Sequence, residues 1–332
     1  MEESREKIDF SLILPVYNSE SFLKETLKSI SEIEYEDFEV IIINDGSTDS
    51  SRNICINYCE KLENFKFYEN EKNIGLIETL NKGLLLANGK YIVRVDSDDL
   101  IHKLILQEYT KKIKEIQVTN FLLTSNSYYI KGQKILRPIF RYCVKSENIK
   151  KIILLENQIN HPTACFPNYK KNNLFYGNES EVKYFEDCDL WIRMISNNYE
   201  VFKTDKVYLF YRVHKQSITK KYDTDKSVMK ARYLNRSELI EHFTTEEISL
   251  IAGNSKDTNI SIALFEKQII KYIKQKGIDS DLKTWLLFYF LNLFKKNYKN
   301  LNNTQKFELV SIITVHAIKN LFNKNLYKHI GR

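Results

Sequence analysis

From Phe10 to Asp99 short β-branched runs alternate with longer amphipathic segments, and this alternation restricts the chain to an α/β fold built on a parallel sheet with helices on both faces. Phe10-Ser11-Leu12-Ile13-Leu14 reads as a buried strand, and Ser21 to Ile33 carries Phe22, Leu23, Leu27 and Ile30 at helical spacing. Phe38 to Ile43 reads as a second strand, followed by a helix opened by Ser47, Thr48 or Asp49, which are good N-cap residues. Phe65 to Tyr68 is a short strand, Leu76 to Ala87 a helix closed near Gly89, and Tyr91 to Val95 a further strand. The pattern then predicts a helix from Leu100 to Ile116 and a hairpin joining Phe121–Ile130 to Lys134–Phe140. A helix over Asp187 to Asn197, an extended run from Val201 to Val213 and a helical remainder from Asp225 complete the reading.

Polar residues that would be costly inside such a sheet fall at the strand ends. Tyr17 and Asn18 follow the first strand, Asp45 the second, and Asp96-Ser97-Asp98-Asp99 the last. Open parallel sheets bind ligands outside the carboxyl ends of their strands, so three strand ends are expected to converge on one crevice. Pro15 is expected to stop the ladder, and Tyr17 offers an aromatic face to a base. Asp45 can accept from a ring N–H such as that of uracil.

Three carboxylates within four positions are costly unless something positive sits among them. Mg2+ and Mn2+ take oxygen ligands, typically one or two carboxylates with phosphate oxygens and water, so the cluster suits a metal carrying a phosphorylated ligand. The plainer alternative is that Asp98 or Asp99 caps a helix beginning at Leu100. Glu186-Asp187-Cys188-Asp189 heads an amphipathic helix, where acids are also favoured by the helix dipole alone. Tyr211-Arg212-Val213-His214, with Ser217 and Thr219 beyond, offers a cation, an imidazole and hydroxyls to metal or phosphate. His161-Pro162-Thr163 is a weaker signal. The sequence has neither a GxGxxG after a strand nor a GxxxxGK[ST] loop, which disfavours dinucleotide-binding and P-loop domains.

Taken in order, Pro15-Val16-Tyr17-Asn18, Asp45-Gly46-Ser47-Thr48-Asp49, Asn73-Ile74-Gly75-Leu76, Asn81 with Gly83, Gly89-Lys90-Tyr91-Ile92, Asp96-Ser97-Asp98-Asp99, Glu186 to Trp191 and Tyr211-Arg212-Val213-His214 resemble the family 2 glycosyltransferases of GT-A fold. The resemblance spans roughly the first two-thirds of the chain. It implies a UDP-sugar donor, Mn2+ or Mg2+, and an inverting transfer with Asp187 as base and Glu186 beside it. It implies donor contacts from Pro15, Tyr17, Asn18, Glu20, Asp45, Asn73, Asn81, Arg94, Asp96, Ser97 and Arg212, and metal ligation by Asp98 with Asp96 and His214. The segments are also similar to bacterial lipooligosaccharide β-1,3-N-acetylglucosaminyltransferases of the LgtA type. That likeness implies GlcNAc transfer to a saccharide or glycolipid acceptor in lipooligosaccharide or capsule synthesis. Galactose or glucose transfer, or a catalytically silent sugar-nucleotide-binding subunit, are the alternatives.

Composition adds a boundary. The 332 residues carry a net charge of +7, but residues 1–219 hold 30 Lys and Arg against 32 Asp and Glu, while residues 220–332 hold 20 against 11. A GT-A domain over 1–220 and a basic helical subdomain over 221–332 are therefore expected. The basic excess suits an anionic membrane surface or is simply a solvated helical face; no nucleic-acid recognition motif accompanies it. Trp285 to Leu291, followed by Lys295, Lys296 and Lys299, is too short to span a bilayer, and fits peripheral membrane contact, a buried helix or a homodimer interface. Five scattered cysteines without ligand spacing read as reduced thiols. With no secretory leader pattern at the start, the expected location is cytoplasmic, at the inner face of the membrane if the tail binds lipid.

Overall fold

The computed structural model describes residues 9–132, 134–139, 149–151, 153–155, 157–168, 175–177 and 182–214, and in the C-terminal third residue 230 and residues 241–252, 261–277, 303–306 and 308. The chain divides into two compact units, Met1–Tyr222 and Asp223–Arg332.

The first unit is built on a nine-stranded sheet. In chain order it contains β1 Phe10–Val16, α1 Glu20–Ser31, β2 Phe38–Asn44, α2 Ser51–Cys59, β3 Phe65–Glu69, α3 Leu76–Leu86 and β4 Tyr91–Arg94. There follow β5 Leu100–Ile101, α4 Ile105–Glu115, β6 Phe121–Lys131, β7 Lys134–Ile139, β8 Cys165–Pro167, α5 Glu186–Ser196 and β9 Glu200–Arg212. The sheet order is β3-β2-β1-β4-β8-β6-β9-β5, with β7 paired to β6. Strands β1 to β4 and the β6–β9 pair run parallel, while β5, β7 and β8 pair antiparallel with their neighbours.

The sequence dictates this arrangement through burial. Every residue of β1 and β2 is buried, as a strand covered on both faces requires. Leu23, Leu27 and Ile30 of α1 are fully buried, each worth roughly 1.5–3 kcal/mol, which fixes the face that α1 turns to the sheet. Gly83 of α3 packs directly on Ile13 and Ile43, leaving no room for a larger residue at that helix–sheet crossing.

Three expectations are corrected. Pro15 does not end β1, which continues to Val16 in register with Ile43 and Asn44 of β2. Ile13 O accepts from Val95 N and Val16 O from Asp45 N, so by alternation Pro15 faces the β4 side, where pairing already stops at Ile13 and Arg94. No helix begins at Leu100: Leu100 and Ile101 pair with Phe210 and Leu209 of β9, and α4 starts at Ile105. Helix α2 is opened at Ser50, later than Ser47 to Asp49, with the carboxylates of Asp49 and Glu20 taking the N–H groups of Ser51 and Ser50. The hairpin, the Asp187–Asn197 helix and the Val201–Val213 run fall near their expected places, with Gln133 and Phe140 outside the described residues; most of the stretch from Asp225, expected to be helical, also lies outside them.

In the second unit Thr244 and Glu247 form a capping box on α6 Thr245–Ile251, and Ser261 caps α7 Ile262–Gln275. Glu308 accepts from Ser261 Oγ and Ile262 N, tying a later segment to the head of α7. Phe243 packs on Phe265 and Tyr272. The Trp285–Lys299 segment, and Ser217 and Thr219, lie outside the described residues. Among the described residues no helix is long and apolar enough to cross a membrane, and Cys55, Cys59, Cys165 and Cys188 are free thiols.

Candidate active site

The loops leaving β1, β2 and β4 are bound to one another, which fixes the crevice at the carboxyl ends of these strands. After β1, Asn18 takes a left-handed conformation (φ 47) that turns its backbone N–H to Ser47 Oγ and its Oδ1 to Thr48 N. Ser19 N donates to Ser51 Oγ, and Ser19 Oγ is 2.6 Å from Ser97 Oγ. Asn18, Glu20 and Ser97 are thus joints between loops. Tyr17 O accepts from Ser19 Oγ, and half of the residue's surface is exposed.

Asp45 is buried at the end of β2. Its Oδ1 accepts from Asn70 Nδ2 and Ile74 N, both at 2.9 Å, and its Oδ2 from Gly75 N at 3.1 Å. The carboxylate therefore holds the loop that follows β3 against the end of β2, with exposed Ile74 beside it. Gly46 makes this approach feasible: its φ is +67, and a Cβ there would lie 2.5 Å from Asn73 N. Gly46→Ala should lower stability by about 1–3 kcal/mol, seen as a lower urea midpoint, because the strain falls on backbone that cannot yield. Asn81 lies on α3 away from these loops and pairs with the backbone of Tyr176 through both amide atoms.

The acid cluster follows β4. One carboxylate oxygen from each of Asp96, Asp98 and Asp99 lies within 4.8 Å of the other two. Asp96 and Asp98 are partly exposed, whereas Asp99 is buried. Asp99 does not cap a helix; its Oδ1 accepts from Arg212 N at 2.8 Å, and its Oδ2 has no partner among the described residues. Burial, with the Asp98 charge beside it, holds the Asp99 carboxyl well above the usual carboxylate range. An all-oxygen set with an unpartnered buried oxygen suits a hard divalent cation such as Mg2+ or Mn2+.

His214 reaches the cluster from the end of β9, its Nε2 2.7 Å from Asp98 Oδ2. Arg212 is buried and occupied: Nε donates to Asp98 O at 2.8 Å, Nη2 to Glu25 Oε2 at 2.7 Å, and the guanidinium lies 5.0 Å from the Phe22 ring. The expectation that Arg212 reaches a diphosphate is therefore modified, since its guanidinium clamps the Asp98–Asp99 turn. Phe22 also packs against His214, with ring centroids 4.3 Å apart and the planes tilted by 38°. Its helical spacing marks it as a core residue, yet it and Glu25 form the platform on α1 that carries both the cation and the imidazole.

Beneath the cluster sits Arg94, 3% exposed and ion-paired through Nη1 with Asp96 Oδ1. Burial lowers its pKa, and Tyr176, Asp98, Glu186 and Asp99 oppose that shift, so the guanidinium stays charged at the centre of the acids. Tyr176 lies between the two ends of the site. Burial pushes its phenol up, Arg94 pulls it down, and Asp187 and Glu186 push it further up. The phenol is therefore a neutral hydroxyl, 2.9 Å from His161 Nε2. Asp187, in the first turn of α5, accepts from Cys188 N through Oδ1 at 2.7 Å and from Asn157 Nδ2 through Oδ2 at 3.2 Å. Asp189 stands apart, buried and paired with Arg193 one turn on.

The geometry thus gathers Tyr17, Asp45, the Asp96–Asp99 cluster, Arg94, Arg212 and His214 around the strand ends, with Glu186 and Asp187 across Arg94 and Tyr176. Residues 11–170 match the family model of glycosyl transferase family 2. Those residues form a family 2 glycosyltransferase domain. This glycosyltransferase is similar to an uncharacterized glycosyltransferase of Rickettsia typhi, 26% identical over 265 residues covering 78% of this chain and 80% of that one. Among solved structures it resembles S. aureus TarS 1–349 in complex with UDP-GlcNAc, with a TM-score of 0.55 and 22% identity over 90% of this chain and 91% of that chain. It also resembles a mannosyltransferase of Pyrobaculum calidifontis in complex with GDP-Man and Mn2+, with a TM-score of 0.54 and 18% identity over 96% of this chain and 88% of that one. At such identities these likenesses carry the fold, which is GT-A, a mostly parallel sheet flanked by helices.

Proposed function

We propose that this glycosyltransferase moves a sugar, GlcNAc in β-1,3 linkage, from a UDP-sugar to a saccharide acceptor of a bacterial surface glycan, with inversion at the anomeric carbon. The observation that carries the reading is the pairing of an oxygen-only cluster at the end of β4 with a carboxylate, Asp187, at the head of α5 on the far side of Arg94. Such a division suits a reaction in which one end holds a diphosphate and the other takes a proton. The UDP-GlcNAc complex of TarS supports the donor class, and the Mn2+ complex of the Pyrobaculum mannosyltransferase supports the metal.

The acceptor hydroxyl oxygen forms a bond to the anomeric carbon as the bond from that carbon to the diphosphate oxygen breaks, and UDP leaves with the electron pair. Asp187 takes the hydroxyl proton, which becomes acidic as the new bond forms, so an ordinary carboxylate suffices as base. Asp98, Asp96 and His214 would hold Mn2+ or Mg2+, and the ion would supply neutralisation of the charge developing on the leaving diphosphate. Tyr17 stacks on the base, and Asp45 fixes the loop carrying Ile74 against its other side. Arg212 and Asp99 keep the acid turn in place.

The test is UDP or GDP release with Mn2+ across a panel of UDP-GlcNAc, UDP-galactose, UDP-glucose and GDP-mannose. UDP-GlcNAc should turn over fastest. Preference for another UDP-sugar overturns the sugar assignment and keeps the mechanism, whereas no release from any donor overturns the enzyme reading in favour of a binding subunit.

A further inference from the structure

The base assignment leaves open what aims the carboxylate of Asp187. A carboxylate in the first turn of a helix is drawn to the helix's own free N–H groups, and Asp187 Oδ1 indeed takes Cys188 N at 2.7 Å. Unopposed, that attraction folds the side chain back onto α5 and away from an incoming hydroxyl. Asn157 supplies the opposing contact by donating its Nδ2 to Asp187 Oδ2.

Asn157 can do this in one orientation only. Its Oδ1 accepts from Ile159 N at 2.9 Å, so the amide oxygen is committed and the NH2 group must face Asp187. A flipped amide would set its oxygen against the carboxylate and leave Ile159 N facing a donor. The loop that carries Asn157 is itself anchored by buried polar contacts. Asn160 Nδ2 donates to Ser125 O at 2.7 Å, and Tyr109 Oη donates to Thr163 O at 2.7 Å. Thr163 N donates to Arg94 O at 2.8 Å, which joins the same loop to the strand that ends in the acid cluster. The loop therefore links the base to the metal-binding end through rigid elements, and it gives the weak His161-Pro162-Thr163 signal a structural role.

We propose that Asn157 is a positioning residue for the base: it holds the Asp187 carboxylate between its own helix and the loop, with Oδ1 on Cys188 N and Oδ2 on Asn157 Nδ2, leaving the remaining lone pairs turned to the acceptor hydroxyl. This rests on the reading of Asp187 as base. A misplacement of about 1 Å costs on the order of 10²-fold in rate, so the contact is worth far more to turnover than to stability.

The experiment compares wild type, Asn157→Ala, Asn157→Asp and Asp187→Asn, using the donor that turns over fastest in the panel above and reading UDP release from pH 5 to 9, with UDP affinity measured by titration as a check on folding. Asn157→Ala should lower kcat by about 10- to 10²-fold with donor KM within about twofold of wild type. Asn157→Asp keeps the shape but sets a second carboxylate beside the first, so the acid limb of the kcat–pH profile should move up by about one unit. A purely structural role for Asn157 would leave that limb in place. If Asp187→Asn collapses turnover while both Asn157 variants retain the wild-type kcat and profile, the positioning role is overturned and the base stands. If Asp187→Asn remains active, the base assignment fails and the positioning role with it.

Discussion

Asp187→Asn should reduce turnover by about 10²–10⁴-fold while UDP binds as before. The amide is isosteric, so Cys188 N keeps an oxygen partner and α5 keeps its first turn. What is lost is the proton acceptor. Because Asn157 also presents an NH2 group, the new amide turns its oxygen to one neighbour and sets two donors against each other at the other, a local cost of about 1–3 kcal/mol at most for a single unmet group. That cost falls on α5, beyond the β1, β2 and β4 loops proposed to hold the nucleotide. The split between collapsed kcat and preserved UDP affinity is therefore diagnostic, and a parallel loss of UDP affinity would argue that Asp187 helps build the donor site. Unchanged turnover would remove Asp187 from the mechanism.

The fold was legible because its signals are local. Continuous apolar, β-branched runs such as Leu12 to Leu14 and Val40 to Ile43, bounded by turn residues, favour strands buried on both faces, and the amphipathic segments between them are long enough to cross back over the sheet. Sequence and structure part where one residue type serves two purposes. Leu100 and Ile101 continue an apolar pattern that reads equally as helix or strand over so few residues, and pairing with β9, a segment more than a hundred residues away, decided the matter. Pro15 reads as a terminator because sequence does not say which neighbouring strand a given backbone nitrogen faces.

The site was legible in its acids and largely illegible in its supports. Acids at strand ends stand out because burying them without a partner is costly. Asn157, Tyr176, Phe22 and Glu25 carry no such mark. Asn157 sits in a loop with other polar residues, Phe22 shares the spacing of core residues on α1, and Glu25 is one exposed acid among many. Each matters through a partner distant in the chain: Asp187, Arg94, His214 and Arg212 respectively. A constellation of that kind arises only from tertiary structure, whereas the residues it serves announce themselves by chemistry.

Asp98→Asn should weaken Mn2+ binding and lower turnover by on the order of 10²–10³-fold, because metal stabilisation of a leaving group is worth several kcal/mol and each 1.36 kcal/mol is tenfold in rate. The contrast with its neighbour makes the prediction sharp. Asp98 is partly exposed, and its side chain contacts His214 through Oδ2, while the turn is held by its backbone oxygen, which the substitution leaves on Arg212 Nε. Asp99 is buried and accepts from Arg212 N. Asp98→Asn should therefore keep the wild-type urea midpoint and lose metal, measured by Mn2+ electron paramagnetic resonance titration in the presence of UDP. Asp99→Ala should behave in the opposite order, losing stability first, since it strands Arg212 N in a buried site. EDTA should abolish UDP release in the wild type, and added Mn2+ should restore it. Equal Mn2+ affinity in wild type and Asp98→Asn would move the ligand role to Asp96 and His214, and turnover that survives EDTA would leave Arg94 as the cation that offsets the cluster.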